Sequence, residues 1–466
     1  MAPLRTPTRP RRRQKPPSPT GLRTGFSLTE LLVASTIGLV VMAAVASLFS
    51  VFSRALSSSQ STIELAGKMR SVAWQLRQDL AGVTVRMRPP AHPESNSGYF
   101  ELIEGPLRDI NASPSSTNIS ADTDDILLFT TKSAGGPFVG RYGTQDLVES
   151  DTAEVAWFCR EAPASQQPTP PPTIKVFNLH RRKLLVVGYA GKTPFLKPER
   201  AGNWLDARVQ GNPPLEPVTD RALAVQKEYD VSLREYWFVD PKKSAEQQCD
   251  LIPNTLADLT ARENRFGHLP RLFQPPTPSF PYRCQSVDKL TFDSTLAVDS
   301  SRVRAGEDVV LTNVIAFDAR VYDPSARAQP NATVSLFPGD SGYAPGNGAY
   351  GAYVDLGGGV GGTLARPMAV WPPPPTPAIP ALPNVTYDTW NLGYEFNGID
   401  EDGRFGPDTA GDKKDNNGNG LIDEAAEFDT SPPYPVPLRG IEVRLRCYEP
   451  TSKQVRQITI RQAFKY

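Results

Sequence analysis

Histidine is nearly missing from this chain: His92, His180 and His268 are the only three in 466 residues. Reactions that lean on imidazole lose their carriers with it. No HExxH, Walker or GxSxG pattern occurs, and none of the three lies in a stretch like that around the histidine base of a serine-protease triad. Cysteine is also scarce. Cys159, Cys249, Cys284 and Cys447 are too far apart in sequence for a zinc knuckle, and as possible disulfide partners they allow three pairings among which spacing does not choose. Two local absences matter more. Residues 1 to 25 hold no acid but seven bases (Arg5, Arg9, Arg11, Arg12, Arg13, Lys15 and Arg23), and the 23 residues from Leu31 to Ser53 hold no charge at all.

What stands in that uncharged run is apolar. A helix rises about 1.5 Å per residue, so about 20 such residues cross the hydrocarbon core of a bilayer, and the run is long enough to span. Bases just before a span hold that end in the cytoplasm and send the rest of the chain to the other side. A cleaved secretory signal fits less well, because no small-residue site follows the run. Taking the seven leader bases from the fifty in the chain leaves 43 against 50 acids, a net charge of −7 that argues against nucleic-acid binding by the exported part. Glu30 stands at the very edge of the span, where a carboxylate is costly unless it stays at the interface or meets a cation.

The junction reads Gly25-Phe26-Ser27-Leu28-Thr29-Glu30 and runs straight into the apolar helix. This resembles the processing and methylation signature of type IV prepilins and type II secretion pseudopilins. The resemblance implies cleavage between Gly25 and Phe26 by a prepilin peptidase, methylation of the new amino terminus at Phe26, and an aligning role for Glu30 in assembly with other pilin or pseudopilin subunits. It further implies a single-pass protein of the inner membrane, with its amino terminus cytoplasmic before processing and its carboxy-terminal domain periplasmic or extracellular. An ordinary signal anchor would give Phe26 and Glu30 no such meaning.

Past the span, Leu65, Met69, Val72, Leu76, Leu80 and Val83 recur at spacings of three and four, which puts them on one helical face. One helix from about Phe26 to about Leu80 is expected, stopped by Gly82 and Pro89-Pro90. Strands are expected over 125–131, 154–160, 174–180, 183–189, 230–238, 309–316, 317–322, 441–448 and 455–464. The fold class is α+β: a long N-terminal membrane-spanning helix packed against an antiparallel β-sheet domain with long Pro/Gly-rich loops. The expected layout is a leader over 1–25, the transmembrane half of the helix over 26–53, its exported amphipathic half over 54–88 and a β-rich domain over 89–466. Two pieces, Ala316 to Pro324 and Val443 to Pro450, resemble each other as strands that end in aromatic, acid, proline. Prolines concentrate in 168–172, 274–281, 372–383 and 432–437, read as solvated loops or polyproline.

Candidate chemistry reduces to one place. Gly339-Asp340-Ser341-Gly342 looks like a protease nucleophile tetrapeptide but has no histidine partner, and Gly357, Gly359 and Gly362 precede Pro367 where a dinucleotide loop needs a helix. Both read as turns. Residues 415 to 427 differ: Asp415, Asn417, Asn419 and Asp423 put oxygen side chains at alternate positions around Gly420 and Leu421. The run resembles the first nine positions of an EF-hand or dockerin-type calcium loop, in which Leu421 offers its carbonyl. Ala426 stands where the bidentate glutamate belongs, leaving Asp423, Glu424 or Glu427 to complete the shell of a calcium ion. The expectation is therefore a minor pilin-like subunit, most like a J-type minor pseudopilin or W-type minor pilin, and not an enzyme. The rival readings are a membrane-anchored binding protein that never assembles and a membrane-tethered hydrolase.

Overall fold

The computed structural model describes residues 25–107, 122–142, 146–168, 175–187, 226, 229–239, 247–268, 282, 284, 287–290, 308–330, 336, 343–344, 348–358, 362–365, 385–401, 405–424 and 427–466. The basic leader, the tetrapeptide at 339–342, Gly359 and three of the proline runs, wholly or in part, lie outside them. The chain divides into two compact units, Met1–Gln60 and Ser61–Tyr466.

Helix α1 covers Leu28–Ala81, 54 residues, and the division falls within it. In the first unit its side chains are exposed almost without exception, among them Leu31, Leu32, Val33, Ile37, Val40, Met42, Leu48, Phe49 and Phe52. The polar residues of this stretch look after themselves: Ser35 and Thr36 both donate to the Leu32 carbonyl, at 2.9 and 3.0 Å. The helix is long and apolar enough to cross a membrane.

In the second unit the remainder of α1 buries Leu65, Met69, Val72, Ala73, Leu76, Asp79 and Leu80. That is the expected stripe with Ala73 and one acid added, while Val83 falls just past the helix end and is half-buried. Its partner is one face of a nine-stranded antiparallel sheet in the order β11-β1-β2-β5-β6-β9-β12-β13, with β10 also paired to β9. The strands are β1 Phe100–Glu104, β2 Ile126–Lys132, β5 Thr152–Glu161, β6 Phe177–Leu185, β9 Val309–Arg327, β10 Tyr350–Val354, β11 Val385–Asp388, β12 Gly440–Glu449 and β13 Gln454–Ala463. Two hairpins stand apart, β3 Phe138–Tyr142 with β4 Asp146–Ser150 and β7 Leu233–Val239 with β8 Gln247–Pro253. The two similar sequence pieces turn out to be neighbours, since β9 pairs with β12 through Phe317 and Leu445, Asp318 and Arg444, and Ala319 and Val443. β9 does not stop at Pro324 as its twin stops before Pro450: its far end runs on to Arg327 because β10 pairs with it there.

Alternate residues of the central strands serve two cores. Val155, Trp157 and Cys159 of β5 join the helix stripe, while Ala156 and Phe158 join Leu128, Leu184, Leu259 and Phe266 on the other side. A polar layer is sealed in with the second core. Arg265 bridges Glu101 and Asp388 at 2.8 Å each, Arg262 reaches Glu101, and His268 Nε2 lies 2.9 Å from Glu101, all fully buried. Burial alone would raise the Glu101 carboxyl, but Arg262, His268 and Arg265 outweigh it and hold the group well below its ordinary value.

Helix and sheet are clamped where the helix ends. Asp79 takes two hydrogen bonds from Arg181, at 2.7 Å each, and a third from Trp157 Nε1 at 3.0 Å. Trp157 and Arg181 stand directly opposite each other on β5 and β6. An acid in the last turn opposes the helix dipole, so the guanidinium offsets both that and the cost of burial. Thr131 Oγ1 donates to the Asp79 carbonyl at 2.7 Å, and Gly82 then lets the chain meet β2, since a Cβ there would come within 2.2 Å of the Lys132 carbonyl oxygen. Removing one partner from a buried pair costs about 3–5 kcal/mol. Asp79→Ala is expected to lower the melting temperature of the detergent-solubilised chain by about 5 °C, and Asp79→Leu with Arg181→Met by much less, as thermal unfolding would report.

Candidate functional site

The first candidate is the junction at the start of α1. Gly25 and Phe26 precede the helix and are exposed, Phe26 by 86%. Ser27 is the residue before the helix and Glu30 its third, and the two exchange hydrogen bonds: Glu30 N–H to Ser27 Oγ at 3.1 Å and Ser27 N–H to Glu30 Oε2 at 3.0 Å. This is a capping box, in which two orphan amides of the first turn are satisfied reciprocally. Sequence reading assigned Glu30 to assembly and overlooked this local task, although Ser-x-x-Glu before an apolar run is its standard signal. The carboxylate also faces the positive end of the helix dipole.

The second candidate is the loop at 415–427, which the chain folds around its own acids. Asp415 Oδ1 accepts from the amides of Gly418 and Asn419, at 2.7 and 3.1 Å, and its Oδ2 from Gly420 at 2.7 Å. Gly418 and Gly420 adopt φ of 75° and 90°, which L side chains resist. Glu424 Oε1 accepts from the side-chain amides of Asn417 and Asn419 at 2.5 Å each, and Glu427 Oε1 from the backbone amides of Asn416 and Asn417. The second oxygens of Glu424 and Glu427 are buried, yet neither receives a hydrogen bond among the described residues.

The structure thus brings together Asp415, Asn417, Asn419, Glu424 and Glu427. Asp423 is turned away, with its Oδ1 taking the Lys413 amide at 3.0 Å, and the Leu421 side chain is exposed. Asp415, Glu424 and Glu427 do not bring one carboxylate oxygen each within 4.8 Å of one another.

Other predicted positions are quieter. Cys159 and Cys447 are buried free thiols of the main core, and Cys284 is a half-buried free thiol, so no disulfide joins these three. Burial pushes the Cys447 thiol up to about 12 and holds Cys159 well above its ordinary value. Cys249 lies on β8 and its side chain is outside the described ones. Gly357, at φ 64°, makes a turn closed by its amide bond to the Leu364 carbonyl at 2.8 Å. An open groove of about 560 Å³ lies among Arg77, Glu442, Arg444 and Arg461, with Glu442 pairing Arg444 at 2.8 Å and Arg461 at 2.6 Å.

No family model, no curated protein and no solved structure matches the chain. The capping box can be tested alone. Ser27→Ala keeps Glu30 but removes the acceptor of its amide, and a lost N-cap costs about 1 kcal/mol. Hydrogen exchange at the Glu30 amide is expected to rise about five-fold, with no change beyond the first turns.

Proposed function

We propose that the chain is a minor pilin-like subunit of a type II secretion or type IV pilus machine, anchored in the inner membrane by α1 and joined to neighbouring subunits through the same helix. One observation carries this reading: Gly25-Phe26-Ser27-Leu28-Thr29-Glu30 opens directly onto a helix whose surface is apolar and exposed as far as about Ser53 in the first unit. A prepilin peptidase and methylase would cut after Gly25 and methylate Phe26. Methylation leaves the terminal nitrogen charged, and the Glu30 carboxylate of a neighbouring subunit is the natural partner for it inside a bundle of apolar helices. The J-type minor pseudopilin and W-type minor pilin are the nearest descriptions, because more than 400 residues follow the span and a closely stacked filament leaves little lateral room for them. The reading includes no catalytic activity.

The capping box sharpens the test of Glu30. Glutamine serves at the third helical position of such a box as well as glutamate does, so Glu30→Gln keeps the helix start and removes only the charge. The variant is expected to be processed like the parent and to lose co-purification with its neighbouring subunits from native membranes. If it co-purifies as the parent does, the charge is incidental, and a membrane-anchored binding protein becomes the better account.

Calcium in the 415–427 loop belongs to the same proposal, with Asp415, Asn417, Asn419, Glu424 and Glu427 around the ion and the Leu421 carbonyl and Asp423 at its margin. Its task there is to order the approach to β12, not to perform chemistry. Two neutral Asn ligands lower the charge of the site and its affinity relative to an all-Asp loop. Asp415→Ala is expected to reduce the calcium bound per chain by one ion in equilibrium dialysis; an unchanged stoichiometry would make the loop a turn only.

A further inference from the structure

Five carboxyl groups face one another inside the second unit, far along the chain from the 415–427 loop. They are Glu104 at the end of β1, Asp122, Asp124 and Asp125 on the approach to β2, and Asp318 on β9. The backbone explains part of this gathering. β9 leaves β6 after Val314 and meets β10 only from Val321, so one edge of β9 between them has no strand beside it. The approach to β2 fills the gap. Phe317 N–H donates to the Asp122 carbonyl at 2.8 Å, and Ala319 N–H to the Asp125 carboxylate at 2.7 Å, a side chain standing in for a strand carbonyl. Asp125 also takes the Gly105 amide at 3.2 Å, and a Cβ on Gly105 would come within 2.0 Å of the Asp124 carboxyl carbon. Only glycine admits the acids at this point.

These bonds account for Asp125 and for the Asp122 backbone, and leave the Asp122 side chain unexplained. It is fully buried, and among the described residues neither of its oxygens receives a hydrogen bond from an N–H or hydroxyl. What it faces is carboxyl: Asp124, Asp125 and Asp318. Burial, and then the like charge of Asp125, push its own carboxyl up to about 11. Arg320 and Arg444 stand against Asp318, at 3.6 and 3.9 Å, and each also binds another acid, Asp355 and Glu442. One oxygen from each of Glu104, Asp122 and Asp125 lies within 4.8 Å of the other two. A calcium ion keeps about 2.4 Å from its ligands, which allows ligand oxygens up to about 4.8 Å apart across it.

We propose that Glu104, Asp122 and Asp125 hold one divalent cation of the calcium type, which pins the approach to β2 against β9 and so closes the gap in the sheet. All three ligands are carboxylate oxygens, the donor set of a hard cation. Calcium suits a buried place better than magnesium, which holds on to several waters in a strict octahedron. The ion's two positive charges would offset two of its three carboxylate ligands, and two amides already bind Asp125. The proposal rests on neither the assembly reading nor the 415–427 loop.

The experiment uses the full chain in detergent, stripped with chelator and returned to calcium, with bound ions counted by equilibrium dialysis. Asp415→Ala, which leaves this cluster untouched, is expected to retain one ion per chain, and Asp415→Ala with Asp122→Asn none. Asp122→Asn is close to isosteric and relieves repulsion in the metal-free chain, so it should fold. Calcium is expected to raise the melting temperature of Asp415→Ala by about 5 °C, and of the double variant not at all. An Asp415→Ala chain that binds no calcium overturns the proposal without any change at the cluster. An ion that survives Asp122→Asn overturns it equally.

Discussion

The end of one helix holds this molecule together. Asp79 occupies the last turn of α1, where an acid opposes the helix dipole, and it is buried, where an acid needs a partner. Arg181 and Trp157, opposite each other on adjacent strands, supply three hydrogen bonds to it. The apolar stripe from Leu65 to Leu80 gives the helix its affinity for the sheet but not its position, because hydrophobic contact has little direction. The bidentate pair fixes rotation and height, and Thr131 and Gly82 then pass the chain from helix to β2. Such a fixed point matters most for a helix that has a second task over the rest of its length.

The chemistry of residues 28 to 53 suits such a task. Ser27 and Glu30 close the first turn, Ser35 and Thr36 satisfy their hydroxyls within the helix, and the surface from Leu31 to Phe52 is largely apolar before Arg54 begins a polar stretch. The Glu30 carboxylate and the hydroxyls of Ser35 and Thr36, which lipid or a bundle of like helices would punish, are thus already paired. Elsewhere buried charge is concentrated, with Glu101, Arg262, Arg265 and Asp388 forming a sealed layer between the sheet and the segment that covers it. Hydrophobic residues of similar size would serve stability as well or better; charge pairs of this kind fit a single register and penalise others.

Much of the helix was legible because its signals are periodic and local. The stripe, the stop at Gly82 and the uncharged run needed no knowledge of the sheet. Strands were legible where an apolar or alternating run is unbroken, whether both faces are covered as in β2, β5 and β12 or one is wet as in β13, and blurred where charges interrupt the run. β6 was read as two strands because Arg181 and Arg182 interrupt its apolar pattern, yet both are interior, Arg181 on Asp79 and Arg182 on Asp230 and Asp308. β1 escaped because Glu101 and Glu104 look like surface residues when the partners of one are more than 150 positions away and the neighbours of the other are acids. At the loop, alternation of oxygens pointed to Asp415, Asn417 and Asn419, but spacing alone did not show that Asp423 takes the Lys413 amide while Glu424 and Glu427 accept from Asn416, Asn417 and Asn419. The acids around Asp122 carry no local motif at all; only the curl of the sheet brings them to β9.

The account depends on α1 being displayed, after removal of the leader, from an N-terminal aromatic residue. The most direct measurement is the mass of the protein's amino-terminal peptide, isolated from the membranes of cells that carry the whole machine. The account predicts a peptide that begins at Phe26 and is heavier by one methyl group on its terminal nitrogen. A peptide that still carries residues before Gly25, or one that begins beyond Ser53, would contradict it.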